Sequence, residues 1–539
     1  MKYLFNLLLF ISISVQGQQA FDVIIRHGMI YDGSGRASYL ADIAINKDTI
    51  TFIGDLSKAK AKKEINAQGL VVAPGFINML SAADMDLVKD GSSMSDIKQG
   101  ITLEVLGEGI SAGPKKLKTK LAPWLSLGEY FAFLEKKGVS TNFASFVGAT
   151  TIRLNELGPK NITPNKDQLT KMKVAVSKAM EDGAMGLSSA LIYAPADYAT
   201  PGELTELAKV AASYDGMYIT HMRSEGDKIF ESLNETFRIA KEAKIRTEIY
   251  HLKINQERNW NKLDKLIAKI DSAQKAGLKI TADMYPYNAS GTSLTTRIPT
   301  WAQEGEAVDM RKRFKDSVTR KRILSDMRLG IPSKNSDPKD VMLIEFKKDS
   351  LNKLYRGKRL NEVAKLHGKN ADETVLDLVV ADQSSIAALF FLMSENNVKR
   401  IMQLPYVSFC TDASSIAAVK PNTDKGMHPR AYGSFARVLG NYVRDEKLIS
   451  LEEAIRRMTS LPASNLKIKK RGSLKVGNYA DVVVFDAKTI KDNATFEKPH
   501  QYATGMVHVF VNGTQVLKDG EHTGALPGRS VRGSGWSKK

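Results

Sequence analysis

Two histidines end short β-branched runs: His221 follows Met217 to Thr220, and His251 follows Thr247 to Tyr250. Paired imidazoles at successive strand ends suit one shared metal ion, although each alone is more often a structural histidine than a ligand. A third donor is available from Glu108, which follows the run Ile101 to Leu106 and stands between Gly107 and Gly109, where the backbone can approach a site closely. Two histidines, one carboxylate and an open position form an established catalytic zinc set, with a loop acid or a cap as the alternative for Glu108.

Four further residues could act around such an ion. Asp412 ends the run from Tyr406, where a free carboxylate can accept a proton from water that a metal activates, and it also suits the start of a helix. Lys253 lies two residues past His251 and therefore faces the same way along an extended chain. Tyr285, in Asp283-Met-Tyr-Pro-Tyr287, can donate to a carbonyl or oxyanion, with a core tyrosine as the alternative. Arg430, after His428-Pro429, offers a planar fork for a carboxylate, or else a surface salt bridge.

The elements that must hold these residues follow from periodicity. From about Pro74 to Lys470 short β-branched strands alternate with amphipathic helices, as in Ile229 to Lys244 and Leu263 to Ala276. Strand and helix at that spacing predict a parallel sheet, and so many units predict a closed α/β barrel. Both chain ends are β-rich instead: Phe21 to Gly54 on one side, Gly472 to Phe485 and Met506 to Val516 on the other, the last with a turn at Asn512-Gly513. The expected organisation is a signal peptide at 1–17, a small β-sandwich from 18–73 with 471–525, a barrel at 74–470, and a tail at 526–539. Within the barrel, about 295–399 breaks the rhythm with charged helices, Met310 to Arg328 and Leu360 to Leu366, and reads as an insertion over the barrel mouth or a peripheral excursion.

Composition sets limits on partners. A chain of 539 residues that is 43% hydrophobic and 25% charged has room for one large barrel and a smaller domain. The formal charge of +19 is mostly lysine in segments read as helical, Lys58 to Lys63 and Lys115 to Lys120, without interleaved aromatics. That pattern predicts a solvated surface and no nucleic-acid partner. Lys2 and the apolar run from Tyr3 to Val15 read as a leader too short to span a membrane, predicting secretion across an inner membrane to the periplasm or exterior. Cys410 is the only cysteine, so no intramolecular disulfide can form, and it reads as a small buried hydrophobe.

These motifs in this order resemble the N-acyl-D-amino-acid deacylase (D-aminoacylase) branch of the amidohydrolase superfamily over nearly the whole mature length. The supporting segments include Gly69 to Ile77, Gly183 to Ser189 with Tyr193-Ala-Pro195, Thr220 to Arg223, His251 to Lys253, Asp283 to Tyr287, Thr411-Asp412, His428 to Gly433 and Gly472 to Gly477. The resemblance implies a TIM (β/α)8 barrel with a β-sandwich, hydrolysing the amide of an N-acylated D-amino acid. It carries the zinc ligands onto Glu108, His221 and His251, the catalytic aspartate onto Asp412, and substrate contacts onto Lys253, Tyr285 and Arg430.

Three departures from the branch stand out. Leu80 and Ala82 occupy the positions of its His-x-His pair, Glu108 replaces a cysteine, and Gly148-Ala149 replaces a Gly-His pair. Neither Leu80 nor Ala82 has a lone pair for a cation, so one zinc per chain is expected rather than two. Two other readings stay open: a hydrolase of cyclic amides, lactones or other esters, and a secreted barrel that binds a ligand without catalysis.

Overall fold

Eight short strands, each followed by a turn toward one common face, set the position of every candidate residue. In the computed structural model, which describes residues 20–330 and 336–536, they are β1 (Phe76–Asn78), β2 (Ile101–Leu106), β3 (Asn142–Ser145, resumed at Val147–Gly148), β4 (Gly186–Ala190), β5 (Met217–His221), β6 (Arg246–Ile249), β7 (Ile280–Met284) and β8 (Val407–Phe409). The expected signal peptide and the last residues of the tail lie outside the described residues.

All neighbouring pairs are parallel, with Ile77 opposite Leu103, Glu104 opposite Phe143, Ser188 opposite Ile219, Glu248 opposite Thr281 and Asp283 opposite Ser408. The circle closes where Ser81 bridges Ala413 and the Asp412 N–H donates to the Leu80 carbonyl at 2.9 Å. This is a (β/α)8 barrel, and its carboxyl-end loops form the face where such barrels carry chemistry.

Helices wrap the barrel because their apolar residues recur on one side. Ile229–Glu242 buries Ile229, Leu233, Ile239 and Ala240. Lys166–Glu181 starts with a reciprocal cap between Asn165 and Gln168, which satisfies the free N–H groups of its first turn. Inside the barrel Ile77, Leu103, Val105, Ile219 and Tyr250 pack together, and Cys410 is buried among them as expected. Among the described residues no helix is long and apolar enough to cross a membrane.

Both ends of the chain meet in one nine-stranded sheet. Val71–Pro74, the last strand before the barrel, pairs antiparallel with Val482–Phe485, the first after it. Strands from both ends enclose a shared core of Val23, Ile25, Ile43, Val72, Val482, Val484 and Phe510. Gly472 and the residues after it run as turns, so the strand expected from Gly472 is confined to Val482–Phe485. Neither lysine-rich segment is helical: Lys60–Asn66 is a strand pairing with Ala20–Ile30, and 115–120 is irregular.

The segment expected as charged helices also contains strands. Ser290–Ser293, Val341–Glu345 and Ala387–Phe390 form an antiparallel sheet with Ala387–Phe390 in the middle. Its helices Ala307–Lys315, Ser317–Arg328, Leu360–His367 and Ala371–Asp382 enclose a separate core of Phe314, Ile323, Leu343, Val375 and Phe390. The expected helix Met310 to Arg328 is two, divided at Asp316, whose side chain accepts from the Thr319 N–H. The edge strand of this unit touches the barrel mouth, with the Tyr193 hydroxyl 3.0 Å from that of Thr292 and His428 Nε2 donating to the Ala289 carbonyl at 2.9 Å.

Candidate active site

Glu108 reaches the site on a loop that only glycines allow. Gly107 and Gly109 have φ of 92° and 62°, and a Cβ on Gly107 would sit 2.5 Å from the Phe146 carbonyl oxygen. Ser188 of β4 pins this loop, accepting from the Gly109 N–H at 3.0 Å and donating to the Gly107 carbonyl. His221 is the last residue of β5. His251 lies just past β6 at φ 35°, a left-handed conformation uncommon for a side-chain-bearing residue, and its N–H donates to Oδ1 of Asp283 at 2.8 Å.

These three side chains converge. Nδ1 of His221 lies 3.0 Å, and Nε2 of His251 3.4 Å, from the same oxygen, Oε1 of Glu108. One ligand atom from each falls within 4.8 Å of the others, and the two imidazoles meet edge to face at 4.3 Å. Two nitrogens and one oxygen at such separations can share a zinc-like cation with a position left open. Both histidines are almost fully buried while Glu108 keeps a fifth of its side chain exposed, so the cluster is reached from the Glu108 side.

The electrostatics agree with a cluster built around shared protons or a cation. Burial pushes the Glu108 carboxyl up, but the two histidines outweigh it and hold it well below the ordinary range. Burial lowers His221 to about 4. Burial and Lys253 also press His251 down, yet Glu108, Glu225 and Asp412 prevail and raise it to about 9.

Asp412, at φ 49°, sits beside this group with its Oδ2 2.6 Å from Nη1 of Arg430. Burial raises its pKa against the pull of Arg430 and His251. Arg430 is held in turn: its N–H donates to His428 Nδ1 at 3.0 Å, and its guanidinium covers the Tyr285 ring at 4.6 Å. The Tyr285 hydroxyl and Arg430 Nε are buried without a hydrogen-bond partner in the protein. Buried donors without partners cost free energy, so their position beside the convergent cluster suits a polar ligand.

Lys253 requires a correction. Its amine contacts His251 Nδ1 at 2.7 Å and pairs with Glu225, so it lies behind the imidazole and away from the nitrogen that faces Glu108. Two further residues pack against the cluster that the sequence reading did not place there. Glu225 is buried behind both histidines, and the Tyr193 ring packs edge-on against His221 at 5.3 Å. An acid four residues after His221 was the only local signal for Glu225.

The chain is similar to known proteins. Residues 405–517 match the amidohydrolase family. The N-acyl-D-glutamate deacylase of Alcaligenes xylosoxydans xylosoxydans is 33% identical over 526 residues, covering 96% of this chain and 97% of that protein. A D-aminoacylase with a binuclear metal centre, in which one metal activates and a second attenuates, superposes with a TM-score of 0.80 at 30% identity, covering 95% of this chain and all of the other. The N-acyl-D-glutamate deacylase from Bordetella bronchiseptica, complexed with zinc and a phosphonate mimic of the tetrahedral intermediate, does so at 0.79 with the same identity and coverage.

Proposed function

Since this chain belongs to the amidohydrolase family alongside D-aminoacylase and N-acyl-D-glutamate deacylase, we propose that it hydrolyses N-acyl-D-amino acids with one metal ion, zinc, per chain. The observation carrying this reading is the convergence of Glu108, His221 and His251 beside the unpartnered donors of Tyr285 and Arg430. Held by those three ligands, zinc supplies Lewis acidity toward a carbonyl oxygen and toward water.

The chain's own residues supply the rest. Asp412 accepts a proton from the attacking water and returns it to the amide nitrogen as the C–N bond breaks, leaving a carboxylic acid and a D-amino acid. Tyr285 donates its free hydroxyl to the oxygen on which negative charge develops. Arg430 orients Asp412 through Nη1 and offers Nε to the α-carboxylate of the substrate. The same proposal keeps Met1 to Gly17 as the leader that exports the chain.

The test is amine release from N-acetyl-D-amino acids and their L enantiomers by zinc-loaded protein, together with elemental analysis. Turnover of the D series with one equivalent of zinc is expected. No hydrolysis of any N-acyl-D-amino acid, or turnover confined to cyclic amides and lactones, would sink the reading.

A further inference from the structure

Glu225 is the buried group that the reaction scheme leaves without a task. Only 2% of it is exposed, and a carboxylate so placed is costly unless every oxygen is matched. Its Oε2 accepts from Asn255 Nδ2 at 2.9 Å. Its Oε1 faces three groups at once: the Lys253 amine, His251 Nδ1 at 3.2 Å and His221 Nε2 at 3.5 Å. The main chain fixes this position, because the Asn255 N–H donates to the Glu225 carbonyl at 2.8 Å.

The two histidines present different nitrogens to the ligand cluster, Nδ1 from His221 and Nε2 from His251. An imidazole that gives one nitrogen to a cation carries its proton on the other, and that proton needs an acceptor. The far nitrogens of His251 and His221 lie 3.2 and 3.5 Å from Oε1 of Glu225, His221 Nε2 is buried without a hydrogen-bond partner in the protein, and His251 Nδ1 also lies 2.7 Å from the Lys253 amine. Two carboxylates therefore bracket the pair of imidazoles, Glu108 on the ligand side and Glu225 behind.

We propose that Glu225 is a positioning residue of the metal centre: its one shared oxygen fixes which nitrogen of His221 and which of His251 faces the ion. Lys253 neutralises this carboxylate. When His251 Nδ1 carries a proton, the amine gives its bonds to Glu225 and to the His251 carbonyl, 3.1 Å away. This role rests on the zinc-centre reading above.

The test is the zinc dissociation constant of the full chain, measured by chelator competition, with the melting temperature of the metal-free protein beside it. Glu225→Met combined with Lys253→Met removes the acceptor and the buried charge together, so that neither partner is left unpaired. Zinc affinity is expected to fall by roughly 10- to 100-fold while the metal-free melting temperature stays near that of wild type. Glu225→Gln keeps a neutral acceptor and is expected to recover part of the loss. Wild-type affinity in the double variant overturns the role, as does a fall in melting temperature with unchanged zinc binding. Wild type that takes up no zinc overturns the centre itself, and the role with it.

Discussion

Nη1 of Arg430 lies 2.6 Å from Oδ2 of Asp412, and both side chains are largely buried. The arginine proposed to read the substrate therefore also fixes the carboxylate proposed as the base, and changes at either residue are felt by both.

Asp412→Asn preserves the shape at that position and removes the proton acceptor. kcat is expected to fall by roughly two to four orders of magnitude. Zinc content should stay unchanged, because the proposed ligands are Glu108, His221 and His251. Metal analysis of the purified variant checks this, and loss of zinc would make Asp412 a ligand.

Arg430→Lys replaces a planar fork by a point charge. For N-acyl-D-amino acids KM is expected to rise, at a cost of about 1 to 3 kcal/mol for a misaligned charged hydrogen bond. Carboxylate-free amides should keep their KM. Because Asp412 loses its fixed partner, kcat should drop by the same factor on both substrate sets. Equal KM effects on the two sets remove the α-carboxylate from the argument.

Excess zinc should distinguish this chain from a binuclear relative. Leu80 is fully buried hydrocarbon and Ala82 an exposed methyl group, so neither position offers a ligand. A zinc titration is expected to raise activity to a plateau at one equivalent, without the attenuation that a second metal brings to D-aminoacylase. Leu80→His with Ala82→His should restore uptake of a second equivalent. Two equivalents in wild type would refute the single site.

Zinc uptake should release a proton. His251, raised to about 9 in the metal-free protein, is charged at neutral pH and must be neutral to bind through Nε2. The sign follows from the raised value: the charged histidine stabilises the metal-free fold below the ordinary histidine range, and this is lost as pH rises through about 9. Apparent zinc affinity should therefore climb by about tenfold per pH unit from neutrality and level off above that value. Calorimetry in buffers of different ionisation enthalpy counts the proton, and zero release near neutrality contradicts the scheme.

The convergent cluster was legible because the positions of its residues are local. Hydrophobic runs mark the ends of β5 and β6, and flanking glycines mark the Glu108 loop. Lys253 was misplaced because alternation assumes an extended chain, whereas His251 adopts φ 35° and turns the backbone between the two. Glu225 was invisible for a different reason: contacts with Lys253 and Asn255, distant in sequence, bring it behind the histidines. The strand Ser290–Ser293 has no apolar alternation at all, and only its pairing with Ala387–Phe390 makes it one.

The pairing of Val71–Pro74 with Val482–Phe485 has a bearing on how the molecule is made. Synthesis delivers the first strand long before the second, and the whole barrel lies between them. Throughout that interval one edge of Val71–Pro74 stays open, a row of N–H and C=O groups able to recruit a strand from another molecule. The closing strands thus act as a clasp fastened last. A chain cut before Val482 keeps Glu108, His221 and His251 but loses the clasp, so soluble yield should fail before the chemistry does.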